Sequence, residues 1–116
     1  MKTLAECIQE WMVRYKQNSV KPSTYDRLET SYNALLNYSI ANIGIEVLRV
    51  EDLQNYINQL VEDGYALTTI KKQYHLIGSF LNYANTEGIV QRPIHHGVKL
   101  PAQSAVKKKK KEVLNL

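Results

Sequence analysis

The sequence contains one cysteine, three prolines and no long apolar segment. Cys7 alone cannot form an internal disulfide, which excludes a disulfide-stapled secreted domain and favours a reducing cytoplasm. Charged and polar residues recur too often for a membrane span or for the apolar core of a signal peptide. No segment alternates apolar and polar residues as a half-buried β-strand does. We therefore expect a soluble, cytoplasmic, all-α protein with no membrane partner.

The net charge of +4 is distributed unevenly along the chain. Residues 1–91 contain eight basic and ten acidic side chains, whereas residues 92–116 contain seven basic side chains and one acidic. Within the body, residues 50–63 contain four acids and no base, and residues 64–86 contain two lysines and no acid. The basic pI therefore does not by itself make the body a nucleic-acid binder, but one part of the body can approach phosphate without repulsion.

Apolar residues at helical spacing predict four helices around one core, which is what 116 residues can build. The helices are expected over about 4–16, 22–38 and 51–62, and between Gly64 and Gly88. Tyr15 and Leu36 are among the side chains expected to face the core. Residues 39–49 are expected to be a packed connection, and the segment after Gly88 is expected to be extended. The predicted architecture is a small four-helix orthogonal bundle with an extended basic C-terminal tail.

The predicted helix ends have recognisable signals. Gly64 and Gly88 are suited to the left-handed conformation that ends a helix, and Pro22 is suited to the first turn of the second helix. Hydroxyl side chains that can accept from a backbone N–H stand near the helix starts, namely Thr3 (with Glu6 completing a capping box), Ser23 or Thr24, and Thr68.

The fourth helix has a second, polar stripe along its length. Its members can all form hydrogen bonds and none is acidic: Thr68, Lys72, His75, Ser79, Asn82 and Thr86. Lys71 lies beside this stripe. A polar face of this kind is able to lie against a nucleic acid, although two lysines on a helix are more often a solvated surface.

The order of these signals resembles the N-terminal SAM-like, core-binding domain of phage integrases and other tyrosine recombinases. The resemblance rests on TLAECIQEW, KPSTYDRLETSYNAL and LRVEDLQNYINQLVEDGYALTTIKKQYHLIGSFLNYANTEGIVQRP, and it covers residues 3–101. No single motif is diagnostic, but the ordered set is hard to meet by accident. The resemblance implies a SAM-like DNA-binding domain over residues 1–101, and a lysine-rich interdomain linker over residues 102–116 that leads to an absent catalytic domain.

The resemblance also implies which residues meet DNA. The implied partners are double-stranded DNA at core-type recombination sites, the catalytic domain of the same full-length protein, and other recombinase protomers on the DNA. The candidate DNA-binding side chains are Lys21, Ser23, Thr24 and Arg27 on the second helix, Thr68, Thr69, Lys71, Lys72 and His75 on the fourth, and Lys107, Lys108 and Lys109 in the tail. Cations and hydroxyls suit phosphate contacts, whereas Lys72 and His75 are the better candidates for base edges.

No catalytic residue, metal site or cofactor is expected. Family catalysis uses a tyrosine, two arginines and a His-x-x-Arg box in the C-terminal domain, whereas this sequence has only a His-x-x-Lys spacing at His96 and Lys99. His95 and His96 are adjacent and have no third ligand nearby, which disfavours a metal site. The chain is therefore interpreted as a recombinase fragment that does not cleave DNA alone.

Two other interpretations of the bundle remain open, and the lysine tail has two interpretations of its own. The bundle can be a helical protein–protein interaction module, which an exposed apolar patch on the first or third helix would favour. It can also be a helix-turn-helix transcriptional regulator with the fourth helix as the recognition helix. The five lysines Lys107 to Lys111 can be a DNA-tracking linker or simply a solubilising tail.

Overall fold

Four α-helices account for most of residues 1–102, the part of the chain that this computed structural model describes. The helices are α1 (Leu4–Trp11), α2 (Pro22–Leu35), α3 (Val50–Glu62) and α4 (Leu67–Thr86). A π-helical turn, Met12–Lys16, continues α1, and 3₁₀ turns cover Ser39–Asn42 and Ile94–Gly97. Residues 1–102 contain no β-strand, and none of their helices is long and apolar enough to cross a bilayer. The predicted all-α, four-helix architecture is confirmed.

The helix ends follow part of the sequence prediction. The Thr3 hydroxyl accepts from the Glu6 backbone N–H, and the Glu6 carboxylate accepts from the Thr3 backbone N–H, so the predicted capping box is present. Gly64 and Gly88 have φ values of 86° and 76°, the left-handed conformation in which glycine carries no steric cost.

The predicted caps of α2 and α4 are wrong. Lys21 occupies the N-cap position of α2, because Pro22 already has the helical φ and leaves Ser23 and Thr24 inside the first turn. Ala66 occupies the N-cap position of α4, one residue before the helix begins at Leu67, so Thr68 also lies inside the helix. No side chain of residues 1–102 caps either helix start.

The core is formed by one apolar stripe from each helix and by the 3₁₀ turn at Ser39–Asn42. The side chains that are fully buried and largest are Leu4, Ile8, Leu35, Leu53, Ile57, Leu60, Ile70, Leu76, Ile77, Phe80 and Leu81. Two expectations about burial are wrong, because Tyr15 is 44% exposed and Leu36 is 47% exposed. Tyr15 lies within the π turn, whose extra residue per turn shifts the register of the apolar stripe, and Leu36 lies just beyond the end of α2.

Gln73 connects three of the four helices inside the core. Its side chain is 3% exposed, and its amide donates to the Ser31 carbonyl of α2 at 2.9 Å and to the Tyr56 hydroxyl of α3 at 2.8 Å. Burial raises the pKa of Tyr56 to about 12, so its hydroxyl stays neutral and needs a partner. These two bonds fix α4 relative to α2 and α3.

The sequence predicted that the segment after Gly88 is extended, and this prediction is wrong. Ile94–Gly97, called here the C-terminal turn, packs on α4, and the Tyr74 hydroxyl donates to the His95 carbonyl at 2.9 Å. The Gln54 side chain of α3 then pairs with the backbone of Lys99, accepting at 2.8 Å and donating at 3.1 Å. Apolar residues between the prolines, including Val98, pack on the core and hold the segment down. The tail lysines Lys107, Lys108 and Lys109 lie outside the described residues.

Candidate nucleic-acid interface

The polar stripe predicted on the fourth helix is a continuous exposed surface. All of its members are exposed, namely Thr68, Lys72, His75, Ser79, Asn82 and Thr86, and so is Lys71. We call these seven residues the α4 polar face. The opposite side of α4 is held in the core by Ile70, Ile77 and Ala84. The burial pattern therefore presents every polar group of the stripe to solvent along the whole helix, and none of them is acidic.

The lysines of this face have no acidic partner within residues 1–102. An ion pair joins Lys2, which precedes α1, to Glu10 of α1 and does not involve the α4 polar face. Thr69, another predicted contact, is half-buried at the side of α4. Because Lys71 and Lys72 are exposed and unpaired there, an approaching phosphate does not have to displace a carboxylate.

The predicted contacts of α2 lie at its N-cap and on its first two turns. Lys21, Ser23, Thr24 and Arg27 are all exposed. Pro22 has no backbone N–H, but with no side-chain cap the N–H groups of Ser23 and Thr24 remain as first-turn donors, and the first turn of α4 likewise has no side-chain cap. Neither first turn contains an acid, whereas α1 has Glu6 and α3 has Glu51 and Asp52 in theirs.

The Gln73 bonds bring the α2 and α4 candidates toward each other. Lys72 immediately precedes Gln73, and Gln73 contacts Ser31 of α2. Arg27 lies four residues before Ser31, about 6 Å along the axis of α2. A cationic residue of each helix thus lies within about one turn of the α2–α4 contact.

Two buried polar residues were missed by sequence reasoning. Gln73 falls in the same helical row as Ile70 and Ile77, which is the one signal that pointed inward. His95 is 4% exposed, and no group of residues 1–102 partners its Nδ1 atom. Burial lowers the pKa of His95, with a smaller contribution from the neighbouring His96, so the ring is neutral at neutral pH.

Residues 1–102 bring together no group of three or more His, Cys, Asp or Glu side chains that could hold a metal ion. The three histidines are divided between α4 and the C-terminal turn, and the rings of His95 and His96 are adjacent, with centroids 4.2 Å apart and planes tilted by 53°. The candidate site is therefore a surface of cations, hydroxyls and helix starts.

The sequence of this chain is similar to known proteins. Residues 3–61 match the family model described as phage integrase, N-terminal SAM-like domain. A tyrosine recombinase XerC-like protein of Caldanaerobacter subterraneus subsp. tengcongensis is 29% identical over 91 residues. That alignment covers 78% of this chain and 23% of the relative, so the chain spans about a quarter of the relative's length.

Two solved structures have the same fold. The N-terminal domain of prophage pi2 protein 01 (integrase) from Lactococcus lactis has a TM-score of 0.79 and 20% identity, covering 88% of this chain and 96% of that one. The Tn1549 transposon integrase, solved in complex with circular intermediate DNA, has a TM-score of 0.75 and 14% identity, covering 91% of this chain and 33% of that one. At these identities the likeness establishes the four-helix fold.

Proposed function

We propose that this chain, which belongs to the phage integrase N-terminal SAM-like domain family, binds double-stranded DNA at the core sites of site-specific recombination. In this proposal the α4 polar face and the first turns of α2 form one surface. Lys21, Arg27, Lys71 and Lys72 neutralise phosphates, and hydroxyls and first-turn N–H groups donate to phosphate oxygens. Lys72 and His75 are the proposed contacts to base edges.

The observation that carries the proposal is the difference between the helix starts. α1 and α3 begin with acidic side chains, and in each a carboxylate accepts from the N-cap backbone, Glu6 at Thr3 and Asp52 at Arg49. α2 and α4 begin with no acid and no side-chain cap within the described residues, and with cations nearby. An uncapped helix start has free N–H donors and a partial positive charge, which together favour an anion.

The relatives support the proposal at the level of the whole protein. The Tn1549 integrase structure contains DNA, and the part of it that matches this chain is a third of that structure. We propose that strand cleavage and joining belong to a catalytic domain of the full-length protein, and that several protomers assemble on the DNA in the cytoplasm. The chain described here would then supply binding and positioning, with no cofactor.

A second candidate function is a protein–protein interaction module. It is favoured by the exposed apolar side chains at the end of the first helix, where Val13 is 54% exposed and Tyr15 is 44% exposed. Both side chains lie on the π turn that follows α1, away from the first turns of α2 and α4 in sequence. This surface is compatible with DNA binding elsewhere on the domain.

The experiment that separates the body from the tail is a salt series of fluorescence anisotropy on a short duplex. The whole chain is compared with a variant in which Lys107 to Lys111 are serines. We expect the variant to retain binding, with a log K against log salt slope that is shallower by roughly 0.9 for each tail–phosphate contact removed. If the variant shows no binding at low salt, the body is not a DNA-binding domain and the interaction module becomes the better account.

A further inference from the structure

The C-terminal turn packs on α4 at Gly78, between residues of the α4 polar face. Lys71, His75, Gly78 and Asn82 form one row on this helix, since they are spaced by four, three and four residues. Gly78 is the buried member of the row, and the others are exposed. A Cβ atom at Gly78 would lie 2.9 Å from Cδ2 of His95. Because Gly78 has no side chain, the His95 ring can pack directly against the backbone of α4 at this position.

Contacts with α4 and with α3 hold the C-terminal turn in this position. On α4, the Tyr74 hydroxyl donates to the His95 carbonyl at 2.9 Å. On α3, a Cβ at Gly97 would lie 3.2 Å from Cγ1 of Val50, so the backbone of the turn touches that helix closely. The Gln54 amide pairs with the Lys99 backbone two residues later. His95 is therefore a positioning residue in a well-held turn.

We propose that His96 is a further DNA contact, delivered to the edge of the α4 polar face by this turn. His96 is exposed, and its ring lies against that of His95, with centroids 4.2 Å apart and the ring planes tilted by 53°. The His95 ring rests on Gly78, about one helical turn from both His75 and Asn82, so the adjacent His96 is placed near this row. An imidazole N–H is a donor for a phosphate oxygen, and a group at the flank of a groove-facing helix meets the backbone of the duplex.

This inference rests on the proposed DNA-binding function, and its test separates the two. Anisotropy with a labelled mixed-sequence duplex is measured for the full chain, for His96→Ala, and for Lys71→Ala with Lys72→Ala. Gln9→Ala, an exposed polar change on α1, is the matched control. We expect His96→Ala to weaken binding about two- to ten-fold, the effect of one hydrogen bond, and Gln9→Ala to leave it unchanged. Equal thermal melting of His96→Ala and the unsubstituted chain establishes that the fold is intact.

The packing of His95 against Gly78 is tested by Gly78→Ala, which displaces the His95 ring. We expect Gly78→Ala to weaken binding as His96→Ala does, and the two changes together to weaken it no further, because both remove the same contact. If the lysine variant loses affinity while His96→Ala does not, the His96 contact is wrong and the proposed function stands. If neither variant loses affinity, the proposed function itself fails. Additive losses of affinity from Gly78→Ala and His96→Ala would contradict the claim that Gly78 positions His96 through the His95 ring.

Discussion

Replacing Lys71 and Lys72 with alanine is expected to reduce affinity for duplex DNA roughly 10- to 100-fold at about 0.1 M salt. Each phosphate contact contributes about 0.9 to the slope of log K against log salt, which corresponds to about eight-fold in affinity at that concentration. Both lysines are exposed and neither has an acidic partner within residues 1–102, so both are available to a duplex. The loss should be nearly the same for different DNA sequences if the contacts are to phosphate.

The matched control for this prediction removes the same charge from another part of the surface. Arg14→Ala with Lys16→Ala takes two cations from the π turn after α1, where Lys16 lies over the Trp11 ring at 5.1 Å. Anisotropy over a salt series should show a slope reduced by about two for the α4 variant and little changed for the control. Equal losses in the two double variants would mean that net charge alone governs binding, and would contradict an interface on α4.

Replacing Gln73 with alanine is expected to lower the free energy of unfolding by roughly 2–4 kcal/mol. The change leaves the buried Tyr56 hydroxyl without its partner, removes a donor from the Ser31 carbonyl and opens a void between three helices. For a domain of this size each kcal/mol corresponds to about 4–8 °C in the melting temperature. Urea unfolding followed by circular dichroism measures the loss. Asn82→Ala, an exposed amide in the same helix, should change the stability by no more than about 0.5 kcal/mol.

A double-mutant cycle tests the reason for this loss. Tyr56→Phe removes the hydroxyl that Gln73 satisfies, so the combination of Tyr56→Phe and Gln73→Ala should be less destabilising than the sum of the two single changes. Strictly additive losses would mean that the hydrogen bond contributes nothing and that Gln73→Ala acts only through lost volume. Because Lys72 adjoins Gln73, the single variant should also weaken DNA binding under conditions where it stays folded.

The helices were predictable because their signals are local. The capping box of Thr3 and Glu6 and the left-handed conformations of Gly64 and Gly88 depend on neighbouring residues in the chain. The periodic apolar rows placed Ile70 and Ile77 in the core correctly. The α4 polar face follows from the same periodicity, since a helix that buries one side exposes the other.

The remaining features depend on contacts between elements, which a single sequence does not contain. The path of the C-terminal turn is set by the space above Gly78 and by the Gln54 amide, 45 residues from Lys99 in the chain. The burial of Gln73 was not predicted, because a glutamine in an apolar row indicates a buried hydrogen bond only when its partners are known. The N-cap of α4 was misplaced because Thr68 suits a cap as well as a first-turn position, and the helix begins two residues earlier than a Thr68 cap implies.

The most direct test of the account is a map of the duplex-binding surface by ¹H–¹⁵N correlation spectra of the full chain titrated with a short duplex. The account predicts that backbone amide shifts change mainly in residues 21–27 of α2 and residues 67–75 of α4, and in residues 94–97 of the C-terminal turn. The amides of α3, which has Glu51 and Asp52 in its first turn, should change little. Changes confined to residues beyond 102, or centred on α1 and α3, would contradict the claim that α2 and α4 form the DNA-binding surface.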